Sequence, residues 1–306
     1  VADSRRATSW VTLVAKSTKI IKVLKVVKVL KPMITLFSMG LSVFVYSFTL
    51  GFAFALGFVL LLFCHEVGHV VALRRKKIKA SMPIFIPMLG AAVFAPKLDE
   101  RHDEAYMAYA GPLFGMLSGI ALLVPCLLLA HPPQLLVLLT FNAFLLNLFN
   151  LTPLSPLDGG RVTQAVGPWF KYIGVAVLLG LTLYLHTAGI VVIWIVVVFD
   201  MPIAVGKRLA LCCGLQVLMV LMAFTPLGAP QPLVVSVIDL LLATLLNTLL
   251  LALYLTKTPV PISTDERPHL GRRQRMQWLA GYLAMATSLV LLMIWAGTLL
   301  PPGVVR

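Results

Sequence analysis

Apolar runs long enough to cross a bilayer recur from residue 33 to residue 299, and most of the charge lies between them. Inside lipid every backbone amide and carbonyl must find its partner within the protein, which leaves helices or closed barrels. Runs of about 17 to 25 residues suit helices, since each residue rises only 1.5 Å. An all-α polytopic membrane protein is therefore the expected fold class. Composition agrees: 60% of the 306 residues are hydrophobic, 12% are charged, and mean hydropathy is +0.98. A soluble domain has no use for so much apolar surface. Spans are predicted at 33–50, 52–73, 105–130, 134–152, 170–186, 188–205, 208–225, 233–256 and 277–299, about nine in all.

A net charge of +14 invites a nucleic-acid reading. The basic residues fall between the spans, however, where they set topology, and no nucleic-acid partner is expected. With residues 1–32 in the cytoplasm and the spans alternating, only Arg306 of the 25 Lys and Arg lies on the far side. The loops placed outside, 131–133 and 226–232, contain neither residue. An integral membrane protein with its N-terminus cytoplasmic fits this pattern, and its size and simplicity point to a prokaryotic plasma membrane. Lysine recurs at every third position from Lys16 to Lys31. At 3.6 residues per turn these lysines spiral round a helix, so residues 1–32 read as a basic membrane-surface segment, with a partner contact as the competing reading. The four cysteines, Cys64, Cys126, Cys212 and Cys213, lie in apolar runs without zinc-ribbon or disulfide spacing.

Within the second span stands His65-Glu66-Val67-Gly68-His69. Two His four residues apart share a helix face, so both imidazoles can grip one metal ion. A glutamate beside the first can take a proton from metal-bound water. A third ligand is needed. Past the fourth span, Pro153 to Gly160 interrupt the apolar pattern and carry Asp158. An acid at membrane depth is costly unless paired, hydrated or bound to a metal. The topology puts this break at the cytoplasmic face, level with His65 and His69. Two imidazoles, one carboxylate and an open position describe a catalytic zinc site.

Residues 81–96 are apolar but too short and too rich in proline for a span. They read as a β-hairpin with Gly90 at its turn, packed within protein or lining a cavity.

On these residues the chain resembles the site-2 protease family of intramembrane zinc metalloproteases. The resemblance rests on His-Glu-Val-Gly-His at 65–69, Asn-x-x-Pro-x-x-Pro-Leu-Asp-Gly at 150–159 and Ala110-Gly111-Pro112, and it covers about residues 33–205. It implies one zinc ion per chain held by His65, His69 and Asp158, with Glu66 as general base. It implies that the hairpin is membrane-re-entrant. It implies substrate positioning by Asn150 and Pro153, and pairing of an unwound substrate strand with the hairpin at Ile84, Phe85 and Ile86. The substrate would be a transmembrane protein in the bilayer, cut near the cytoplasmic face, in regulated proteolysis or in clearance of signal-peptide remnants. Residues 33–205 would be a six-helix protease core and residues 206–306 extra spans. Only 97–104 separate hairpin and third span, which is too short for the PDZ insertion of many relatives. A non-catalytic scaffold or chaperone derived from the family is the alternative. A transporter using the same ligands is disfavoured by the lack of a second row of polar residues across the spans.

Other intramembrane polar groups are weighed separately. Asp239, with Asn247 two turns on, reads as an inter-helix bond or a gate. Asp200 reads as interfacial. Gly111, Gly115 and Gly119 form a small-residue stripe, expected to pack on the catalytic helix. His102, His131, His186 and His269 are not assigned to zinc. Arg272, Arg273 and Arg275 are expected to anchor the last span.

Overall fold

A computed structural model describes residues 32–87, 90–96, 98–155, 157–176, 178, 214 and 268–300. The Lys repeat, Asp200, Asp239, Asn247, Cys212, Cys213 and most of the four spans predicted between 170 and 256 lie outside the described residues. Four described helices are long and apolar enough to cross a membrane: Pro32–Leu50 (α1), Phe52–Arg75 (α2), Arg101–Leu128 (α3) and Arg272–Thr298 (here α6). Gln134–Asn150 (α4) is a shorter apolar helix, and Asp158–Val166 (α5) shorter still. Five predicted spans thus fall on α1, α2, α3, α4 and α6. Phe37, Phe48, Leu128 and Leu291 stand exposed on these helices, as side chains facing lipid do.

The chain forms two compact units, Val1–Pro96 and Lys97–Arg306. In the first, α1 and α2 are separated by Gly51, whose φ of 76° lies in the left-handed region that glycine enters without strain. The predicted hairpin is present. Strands Ile84–Ile86 (β1) and Gly90–Ala92 (β2) pair antiparallel, with Ile84 opposite Ala92 and Ile86 opposite Gly90. Gly90 opens β2 with φ 98°. The hairpin is bonded to α1: Thr35 Oγ1 donates to the Pro83 carbonyl at 2.7 Å, and the Phe85 amide donates to Ser38 Oγ at 3.1 Å.

In the second unit α3 packs along α4, and α6 lies against α4, α5 and α3. Their core contains Leu123, Val137, Phe144, Leu151, Val162, Val166, Phe170, Tyr282, Met285 and Leu289. The close packing expected of the glycine stripe is present, but the helix that Gly115 and Gly119 meet is α4 and not the catalytic helix named from sequence. A Cβ on Gly119 would stand 2.6 Å from the Phe144 ring, and one on Gly115 would overlap the Asn147 side chain. Asp103 and Glu104 lie in the first turn of α3, where the helix dipole favours acids.

Candidate metal centre

In α2 the apolar run supplies the helix and its basic tail ends it. The last turn carries Arg74 and Arg75, which suit the negative end of the dipole. Lys77 then adopts φ 59°. Ile78 N–H reaches back to the Leu73 carbonyl and Lys77 N–H to the Arg74 carbonyl, each at 2.9 Å, a Schellman closure. The metal motif therefore sits in the second half of a helix whose end is fixed.

His65, Glu66 and His69 are all buried, at 3%, 6% and 6% exposure. At 100° per residue they occupy one arc of about 100° on α2. The two Nε2 atoms lie 3.2 Å apart, and the rings cross at 79°. At that separation the lone pairs of both nitrogens can address one cation. The hairpin lies beside this helix. Phe85, 3% exposed, packs its ring 6.5 Å from that of Phe63, two residues before His65. With its amide on Ser38 and its ring on α2, Phe85 anchors the hairpin. Ile84 is half-buried and Ile86 is 44% exposed.

In the second unit α4 ends at Asn150, whose Nδ2 donates to the Leu146 carbonyl at 3.1 Å. The chain then turns tightly: Leu154 N–H bonds the Thr152 carbonyl at 2.7 Å, and Leu157 N–H the Leu154 carbonyl at 2.9 Å. Pro153 is buried in this turn. Asp158, 6% exposed, is the first residue of α5. The break foreseen at 153–160 is thus a turn followed by a nine-residue helix that the sequence reading did not expect. The two glycines after Asp158 are required by close approach. A Cβ on Gly159 would run into the Leu151 and Thr152 carbonyls, and one on Gly160 into the Ser155 amide and Leu154 carbonyl. At the far end of α5 the buried Arg101 donates to the Gln164 carbonyl at 3.1 Å. Arg101 was not foreseen as part of this scaffold.

No protein-family profile matches this chain. It is 30% identical over 131 residues to a zinc metalloprotease of Methanocaldococcus jannaschii. The match takes in 42% of this chain and spans 38% of the length of that protein.

Proposed function

We propose that this chain is an intramembrane zinc metalloprotease of the site-2 type. It hydrolyses a peptide bond in or next to a transmembrane segment of a membrane-protein substrate, near the cytoplasmic face. The observation that carries the reading is the pair of buried, facing Nε2 atoms of His65 and His69 with Glu66 beside them on an apolar, membrane-length helix. The similarity to an archaeal zinc metalloprotease supports it.

His65, His69 and Asp158 are the ligands in this reading, each offering one donor atom of a type suited to zinc. Bound there, zinc supplies Lewis acidity and lowers the pKa of the attacking water. Glu66 receives the proton from that water and passes it to the leaving amide nitrogen. Burial of Glu66 keeps the proton from bulk solvent between the two transfers. A substrate helix hides its carbonyls in its own hydrogen bonds, so it must unwind before attack. The hairpin offers an extended backbone to receive it. The outward-facing amide of Phe85 already bonds Ser38 on α1 and the Ile86 backbone pairs with Gly90, so the exposed Ile86 meets the incoming chain with its side chain. Asn150 and Pro153 position substrate.

Quantitative membrane proteomics in the native host, comparing wild type with Glu66→Gln, tests this. Uncut single-span proteins accumulating in the mutant would support the protease reading and identify the substrate. An unchanged membrane proteome across several stresses would favour a scaffold.

A further inference from the structure

We propose that Tyr282, on the last helix, is a positioning residue for the Asp158 turn, so that α6 serves the metal centre. The inference rests on the reading of Asp158 as a ligand. The Tyr282 hydroxyl donates to the Leu151 carbonyl, a bond closed across 131 residues of sequence. Leu151 is the C-cap residue of α4. The same carbonyl lies against Gly159, where a Cβ would collide with it. One oxygen is therefore touched from two sides: by the residue that follows Asp158 and by the phenol of Tyr282.

The far side of α5 is held by the same ring. Tyr282 packs edge-on against Phe170, with centroids 4.8 Å apart, and Phe170 closes the short 3-10 turn Pro168–Phe170 after α5. Tyr282 is 7% exposed, so its hydroxyl is withdrawn from solvent and would be costly without an acceptor. A phenylalanine would fill this core equally well, and the hydroxyl is what the site requires. Neighbouring bonds of α6 point elsewhere. Trp278 Nε1 donates to His102 Nδ1 at 3.2 Å, and the Gly281 carbonyl accepts from the Tyr109 hydroxyl at 3.2 Å, both tying α6 to α3. Tyr282 can thus be separated experimentally from the general docking of α6.

The test uses the full chain in lipid nanodiscs, with zinc affinity measured by chelator competition for wild type, Tyr282→Phe and Trp278→Phe. Tyr282→Phe is expected to bind zinc about 10-fold more weakly, no more than the low end for a direct partner of a metal ligand, since the phenol acts through the Leu151 carbonyl. Trp278→Phe should match wild type, and the zinc-free variants should unfold at the same temperature as each other. Equal affinity in Tyr282→Phe and wild type would overturn the proposal, as would equal losses in both variants. A wild type that binds no zinc would sink the metal reading itself, a different outcome. Should Tyr282→Phe not fold, hydrogen exchange of the wild type with and without zinc decides. Zinc should slow exchange in 151–160 and in 278–286 together, and an α6 segment indifferent to zinc would overturn the proposal.

Discussion

The Nε2 atoms of His65 and His69 face each other at 3.2 Å from successive turns of α2. Replacing either imidazole leaves one nitrogen where two converge. His69→Ala is therefore expected to lower zinc affinity by more than about 100-fold, beyond what loss of an outer partner costs. Asp158→Asn should also weaken binding, because an amide is a poorer donor to zinc than a carboxylate. Chelator competition on the purified protein measures both.

Gly119 and Gly40 offer a matched pair of substitutions. Gly119→Ala puts a methyl 2.6 Å from the fully buried Phe144 ring, whereas Gly40→Ala meets nothing within 4 Å. The first should destabilise by about 1–3 kcal/mol, as overpacking does. The second should be neutral or stabilise by up to about 1 kcal/mol through helix propensity. Denaturant unfolding in detergent gives both values.

Gly159→Ala should reverse the usual gain of alanine in a helix. The new methyl meets backbone carbonyls of Leu151 and Thr152, which cannot swing aside as a side chain can. The expected outcome is loss of zinc binding together with lowered stability, read by metal content and thermal unfolding.

Ser38→Ala removes the acceptor of the Phe85 amide and leaves that amide unpaired. The hairpin should loosen at a cost of about 1–3 kcal/mol. Because the bonds of Ser38 run to the Thr35 carbonyl and the Phe85 amide, zinc content should stay constant while kcat/KM for a transmembrane substrate falls. Unchanged kcat/KM would remove the hairpin from substrate binding.

What could be read from sequence depended on range. The motif on α2 was legible because its chemistry needs only a spacing of four on a helix, and its basic tail marked the helix end. The hairpin was legible from Pro83, Pro87 and Gly90 in a run too short to span. Helix α5 was not, because Gly159 and Gly160 are poor helix formers and packing against residues 151–155 outweighs their propensity. The glycine stripe announced close packing, but nothing local to Gly119 named Phe144 as its partner. Ser38, Arg101 and Tyr282 were invisible for the same reason: each acts through a partner at least 47 residues away. The spans at 188–205, 208–225 and 233–256 stand as predicted from hydropathy alone.

Zinc content and cleavage, measured together on the full chain in nanodiscs for wild type and Glu66→Gln, test the central claim most directly. The wild type should hold about one zinc per chain, the stoichiometry of a single catalytic site, and cut a single-span substrate. Glu66→Gln should hold the same zinc while turnover falls by about 100-fold to 10,000-fold, the range for a lost general base. Wild-type turnover in Glu66→Gln, or cleavage by a wild type stripped of zinc, would contradict the account.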